Sequence, residues 1–298
     1  MANSNWRISL HGGHSGEFCE HADGSLRSIL EAACSVGYTV FGVSEHMPRV
    51  EPRYLYTTER QKGWTVQTLE QLFEQYAVAV RELAKEFEGR LTVLCGFEIE
   101  VVPPDRWVQL VERYRRDYGF DYIVGSVHFV RDGGIDSDPD DPDTRRALQE
   151  CGSIENFALE YYRAVAEMVR AVRPEVVAHF DLVRLLAHRL GEAHAAETPH
   201  VRDAAINALE AVREAGSLLE VNTAGIRKGL GAPYPAAWVV QAAAQMGIPF
   251  CLSDDSHRPA QVGFGLDAAR EHLLQNGVHE VHFLTRRDGA LVRATATL

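Results

Sequence analysis

Cysteine is scarce in this 298-residue chain: five thiols (Cys19, Cys34, Cys95, Cys151 and Cys251) stand at no paired spacing. That argues against a disulfide framework, and the odd count fits a reducing compartment. Long apolar runs are also missing. None reaches the roughly 18 to 20 residues that a membrane-spanning helix needs, and the opening stretch MANSNWR has no apolar signal core. The cytoplasm is the expected location, with no membrane partner. Positive charge is in deficit, with 30 Lys and Arg against 42 Asp and Glu, a formal net charge of −12. Such a chain repels nucleic-acid phosphates unless it carries a local basic patch, and no such patch is visible. A nucleic-acid partner is therefore not expected. A small anion, held by a few arginines and metal ions, is compatible with this charge.

What the chain does contain is an ordinary globular composition, 46% apolar and 24% charged. No linker, repeat or low-complexity tract divides it, so a single domain over residues 1–298 is expected. Apolar strand-like runs alternate with helical segments. The strands are read at 8–11, 38–44, 91–102, 122–130, 176–179, 218–223 and 248–252. Helices fall at 25–36, 66–88, 106–118, 154–172, 201–215, 236–246 and 266–275, and a strand-like tail at 280–284. Residues 131–153, with six aspartates, read as a loop. Near-continuous apolar strands separated by helices imply a parallel sheet covered by helices. In a parallel barrel of this kind the functional groups collect where the strands end.

Imidazoles and carboxylates fall at those ends. His11, His14 and His21 follow the first strand. His46, Glu98, His128, His179, Asp255 and His257 follow later ones. Nitrogen and carboxylate-oxygen donors without thiolate suit zinc, manganese or iron. Two such ions about 3.5–4 Å apart clamp a bridging hydroxide and neutralise charge during attack on a phosphate. A bridging carboxylate is needed, and Glu98 or Asp255 is the natural choice. Cys19, between His14 and His21, reads as a buried thiol ahead of a ligand. Arg184, Arg227 and Arg258 lie just past strand ends, where guanidinium forks match phosphate oxygens. Asp136, in the aspartate-rich segment after His128, is a candidate for reading a cationic group of the substrate. Glu45 and Asp181 are candidates for orienting neighbouring histidines, and Asp254 for a supporting role or a cap.

In order along the chain stand His21-Ala22-Asp23-Gly24, Ser44-Glu45-His46, Gly96-Phe97-Glu98, Gly125-Ser126-Val127-His128, Ala178-His179-Phe180-Asp181, Val221-Asn222-Thr223-Ala224-Gly225 and Asp255-Ser256-His257-Arg258-Pro259. With these segments the chain resembles the polymerase and histidinol phosphatase (PHP) superfamily, and within it the monofunctional histidinol-phosphatase branch, nearly end to end. The resemblance implies an α/β fold, a distorted (β/α)7 barrel with its active site at the C-terminal ends of the strands. It implies two or three divalent metal ions and hydrolysis of a phosphate monoester, with a metal-bridging hydroxide as nucleophile. The ligands it implies are His11, His14, His21, His46, Glu98, His128, His179, Asp255 and His257. Glu98, Asp255, Arg184 and Arg227 are the candidates for the catalytic roles; for substrate binding the resemblance favours Arg184 and Arg227, with Arg258 and Asp136 candidates by their positions. The substrate it points to is L-histidinol phosphate. The rivals are another small phosphorylated metabolite and, further off, a nucleic-acid-processing module.

One departure stands out. The family usually opens with His-x-His, whereas here the spacing is His11-Gly12-Gly13-His14. Residues i and i+3 of a strand do not share a face. Either the glycines form a bulge that returns His14 to the pocket, or only one of the two binds metal, with Glu17 a conceivable substitute.

Overall fold

The computed structural model describes residues 6–298. Seven parallel strands pair in chain order: Ile8–Ser9, Val40–His46, Thr92–Glu98, Tyr122–Gly125, Val176–Val177, Leu218–Asn222 and Phe250–Ser253. The first and last strands meet as well. The Leu10 amide donates to the Leu252 carbonyl at 3.1 Å and the Asp255 amide to the His11 carbonyl at 2.8 Å, which closes the sheet into a barrel. The strands are buried on both faces, which is why their sequences run apolar without alternation. Inside the barrel the Tyr122 side chain lies across Gly42, where an added Cβ would stand 2.1 Å from the phenol oxygen. Its hydroxyl donates to the Leu10 carbonyl at 2.7 Å.

Helices Leu26–Val36, Val66–Glu86, Trp107–Tyr118, Ile154–Val172, Pro199–Ala215, Ala237–Gln245 and Leu266–Gln275 cover the outside, close to the expected bounds. Several segments differ from expectation. The third strand stops at Glu98 instead of running to residue 102, and a helix not expected from the sequence runs over Val183–Arg189. The fourth strand stops at Gly125 instead of running to residue 130. Residues 131–153 are not a plain loop: Phe129–Val130 pairs with Gly133–Gly134, and a helix runs over Pro142–Cys151. Asp141 caps that helix by accepting from the amides of Asp143 and Thr144, with Pro142 at the first helical position. At the C-terminal end of the sequence, Glu280–Arg287 and Ala290–Thr297 form an antiparallel hairpin. Its Arg286 reaches Asp121 and its Arg293 the Gly216 carbonyl, so it lies beneath the starts of the barrel strands, opposite the ligand-bearing ends. No helix among the described residues is long and apolar enough to cross a membrane.

Candidate metal centre

Glu98 ends the third strand at the centre of the barrel mouth, and its two carboxylate oxygens face different partners. Oε2 stands 3.0 Å from His46 Nδ1, 3.4 Å from His11 Nε2 and 3.6 Å from His14 Nε2. Oε1 stands 3.1 Å from His179 Nε2 and 3.3 Å from His128 Nε2, and accepts from the Ser126 hydroxyl at 2.5 Å. Asp255 adds a second carboxylate, its Oδ1 3.9 Å from His11 Nε2, 3.7 Å from His14 Nε2 and 3.6 Å from His257 Nδ1. His21 completes the ring, its centroid 4.8 Å from that of His257 and 5.6 Å from that of His46. All nine sequence-expected ligands therefore converge on one locus.

His14 belongs there. The Gly12 amide donates to the Gly42 carbonyl at 2.9 Å and the His14 amide to the Ser256 carbonyl at 2.7 Å, with Gly13 at φ 87° between them. This bulge brings the His14 ring to 5.7 Å from that of His11. A Cβ on Gly12 would lie 2.5 Å from the Phe41 ring, so the path needs glycine there. Glu17 turns away instead, accepting the Leu26 amide at 2.7 Å at the head of a helix.

A supporting layer fixes which ring nitrogens are offered. His11 Nδ1 donates to Glu220 at 2.8 Å, His128 Nδ1 to Glu100 at 3.1 Å and His257 Nδ1 to the Asp255 carbonyl at 3.0 Å. In each case Nε2 is left as the lone-pair donor. Glu220 also accepts from the His179 amide at 2.6 Å and from Asn222 at 3.0 Å, and Asn222 reaches Asp255 at 3.3 Å. Glu100 is held by Arg49 at 3.1 Å and Tyr56 at 3.2 Å. Arg49 pairs with Glu59 and lies over the Tyr56 ring. Glu45 Oε2 stands 3.4 Å from His14 Nδ1, off hydrogen-bond geometry. Asp181 instead holds Arg184 and the Ala236 amide, and Asp254 holds Tyr38 and the Gly263 amide. Two ligands, His179 and Asp255, sit at positive φ (24° and 47°). Such backbone costs on the order of 1–3 kcal/mol for a side-chain-bearing residue and persists where its surroundings over-determine it. Here Glu220 holds the first, and Arg227 the second, donating to the carbonyls of Asp254 and Asp255 at 2.5 and 2.6 Å.

The donor set fits divalent cations. His11 Nε2, both ring nitrogens of His14, His46 Nδ1 and His179 Nδ1 are buried without a hydrogen-bond partner. The 3.0 Å approach of His46 Nδ1 to Glu98 lies off hydrogen-bond geometry. An unsatisfied buried polar group costs about 1–3 kcal/mol, so five of them rival the about 5–15 kcal/mol by which a domain is stable. Coordination removes that cost. Among the described residues, His11, His14 and Glu98 form one set of convergent donor atoms and His46, Glu98 and His128 another, with Glu98 common to both. The electrostatics agree. Burial pushes the Glu98 carboxyl up, but His11, His128 and His46 outweigh it and hold it well below the usual range. Burial, then His46 and His14, depresses His21 to about 3, leaving the neutral imidazole that metals bind.

Above the ligands opens a pocket of about 780 Å³. Arg227, Arg258 and Asp136 line it, as expected; Lys228, which the sequence reading missed, lines it too. Asp136 reaches the pocket with its carboxylate 3.2 Å from the Lys228 ammonium. Arg184 is absent from that lining, and Asp181 at 3.1 Å and Glu197 at 3.3 Å engage its guanidinium. Glu100, Glu220 and Arg49 were also missed. Their only signal was a charge placed within or just beyond a buried strand, at Glu220 in Leu218–Asn222 and at Glu100 two residues after Glu98.

A closed parallel barrel with a histidine and carboxylate cluster at the strand ends defines a metal-site barrel of the (β/α)7 type. The chain belongs to the PHP domain family, whose pattern matches residues 11–224. It is 31% identical over 272 residues to a Schizosaccharomyces pombe protein named "Probable histidinol-phosphatase", covering 91% of this chain and 87% of that one. It is 32% identical over 269 residues to a Deinococcus radiodurans protein of the same name, covering 90% and 94%. Its fold matches the crystal structure of histidinol phosphate phosphatase from Lactococcus lactis, complexed with zinc, L-histidinol and phosphate, with a TM-score of 0.68. That match has 17% identity and covers 96% of this chain and 99% of that one.

Proposed function

We propose that this chain is a metal-dependent phosphomonoesterase that hydrolyses L-histidinol phosphate to L-histidinol and phosphate, acting as one domain over its length. The observation that carries this reading is Glu98 dividing its two oxygens between separate histidine groups at the floor of a pocket edged with cations. That is the disposition of a carboxylate shared between neighbouring ions. His11, His14, Asp255 and Glu98 Oε2 would hold one divalent ion, and Glu98 Oε1, His128 and His179 another. His21, His46 and His257 would serve a third. Zinc is favoured by the ligands of the Lactococcus lactis enzyme.

When bound, such ions supply Lewis-acid charge and lower the pKa of water. The chain's own groups do the rest. Arg258 and Lys228 offer N–H donors to phosphoryl oxygens from the pocket wall. Arg227 spends two of its five N–H groups on the Asp254 and Asp255 carbonyls, fixing Asp255 while leaving donors for the phosphate. Asp136 keeps Lys228 in place. The buried Glu220 and Glu100 hold His11 and His128 in the tautomer that leaves Nε2 free.

The test is phosphate release from L-histidinol phosphate by zinc- or manganese-loaded protein, beside a panel of other small phosphate esters. Turnover of histidinol phosphate that stops on chelation is expected. Loaded protein that releases no phosphate from it sinks the assignment.

A further inference from the structure

Arg189 stands outside the pocket and grips the chain that forms its wall. It ends the short helix Val183–Arg189 with its side chain exposed. Arg184, on the same helix, turns to the carboxylates of Asp181 and Glu197. Arg189 turns to main chain instead: its Nη1 donates to the Asp136 carbonyl at 2.7 Å and to the Ser137 carbonyl at 2.9 Å. Those bonds fall just where the wall leaves its own secondary structure. The pairing of Phe129–Val130 with Gly133–Gly134 has ended, and the Ile135 amide makes a last tie to the His128 carbonyl at 2.9 Å. Beyond it, the Asp141 amide bonds only within the loop, to the Asp138 carbonyl at 2.9 Å.

One guanidinium nitrogen carries two N–H groups, enough to bridge consecutive carbonyls. Bridging them fixes the peptide between Asp136 and Ser137, and with it the direction in which the Asp136 side chain leaves the chain. That side chain enters the pocket, its carboxylate 3.2 Å from the Lys228 ammonium. The Lys228 backbone is held separately, its amide donating to the Ala224 carbonyl at 2.8 Å. Its ammonium is not, because a flexible four-carbon stem separates the two. Asp136 is the partner that selects one position for it, and Arg189 is what holds Asp136.

We infer that Arg189 is a positioning residue for phosphate binding. By clamping the Asp136 and Ser137 carbonyls it keeps the Asp136 carboxylate where it aims Lys228 at a phosphoryl oxygen. The inference rests on the phosphatase reading above, which gives Lys228 that oxygen. Arg189 is not part of the pocket lining, so it works through Asp136 and Lys228 and not by contact with the ester. A lysine already aimed when the anion arrives is spared part of the cost of being ordered on binding.

The test is a double-mutant cycle read by calorimetry, with inorganic phosphate as the probe and zinc-loaded full-length protein, so that no turnover is needed. Arg189→Ala is expected to weaken phosphate binding by about 3–10-fold, the scale of one or two lost hydrogen bonds, with zinc content unchanged. Lys228→Ala weakens it as well. Adding Arg189→Ala to Lys228→Ala should then cost nothing more, because the ammonium that Arg189 places is gone. In turnover, Arg189→Ala should raise KM by more than it lowers kcat, since the binding lost is common to substrate and transition state. Arg189→Ala protein with wild-type phosphate affinity overturns the inference, as does wild-type protein that binds no phosphate. An equal loss in both backgrounds also overturns it, because Arg189 would then act by its own charge or by general support of the wall. Should Arg189→Ala fail to fold, Arg189→Met keeps the stem, removes the donors and is judged by the same criteria. Protein that shows this phosphate pattern and cleaves no histidinol phosphate sinks the substrate reading alone. Protein that cleaves it without the pattern sinks this inference alone.

Discussion

Glu220 Oε1 and His11 Nδ1 meet at 2.8 Å inside the barrel, both fully enclosed. The other oxygen of the same carboxylate receives the His179 amide at 2.6 Å. One acid thus sets the ring of a histidine after the first strand and the strained backbone of a histidine after the fifth. Glu220→Ala is expected to weaken metal affinity by about 10–100-fold, the usual cost of losing a ligand's orienting partner. Glu220→Gln should lose less, because its amide oxygen still accepts. Titration against a competing chelator measures this, and an unchanged affinity in the alanine variant would exclude the orienting role.

Glu98 is expected to matter more, because each of its oxygens serves a different histidine group. Glu98→Gln should abolish phosphate release and lower the bound metal per chain. The wild-type melting temperature should fall on chelation, since a ligand at 100 times its dissociation constant stabilises by about 2.7 kcal/mol. The variant's melting temperature should respond far less to chelation. A wild-type melting temperature indifferent to chelator contradicts the view that cations relieve the buried, unpartnered nitrogens.

The bulge at Gly12 and Gly13 makes a packing prediction. Gly12→Ala drives a methyl to 2.5 Å from the Phe41 ring, and Gly13→Ala puts one 2.8 Å from Ile29 at φ 87°. Overpacking costs roughly 1–3 kcal/mol, and the strained φ adds to it for Gly13. Both should lower thermal stability and metal content. Phe41→Leu should restore more of the loss in Gly12→Ala than in Gly13→Ala, whose methyl would meet Ile29 at 2.8 Å as well as the Phe41 ring at 3.1 Å. Equal rescue of both would place the conflict elsewhere.

How far the residues disclosed this site follows from where each group sits. His46, Glu98 and Asp255 stand where apolar strands stop, and in a parallel barrel all such stops point the same way. That one rule gathers these residues at one end of the barrel from the sequence alone. Glu220 obeys no such rule: a carboxylate inside a buried strand is explained only by its partner across the barrel, His11, 209 residues away. Glu100 lies just past a strand end, but its role is set by His128, 28 residues on. Arg184 also lies beyond a strand end, where Asp181, three residues earlier, and Glu197 engage its guanidinium. The helix after Asp141-Pro142 was legible from its start signal but hidden by the density of aspartates around it.

Away from the site, His272 gives a pH prediction. Its Nε2 donates to the Pro235 carbonyl at 3.0 Å. Burial lowers its pKa from 6.5, more than the Pro235 carbonyl raises it. The unfolded chain takes up this proton first as pH falls. Stability from the neutral ring is therefore complete above about 6.5 and declines toward the lower folded value. His272→Asn should show a shallower loss of unfolding free energy between about pH 7 and pH 5 than wild type, measured by denaturant titration of chelated protein. An identical pH profile excludes His272 as a contributor.

The glycine pair after His11 has a wider meaning. A histidine three positions on brings its ring to within 5.7 Å of the first, because the intervening backbone detours past Phe41 and returns. Searches that insist on a fixed gap between the opening imidazoles would overlook enzymes built like this one. In this chain the rings meet at one point in space although three residues, and not two, are spent reaching it.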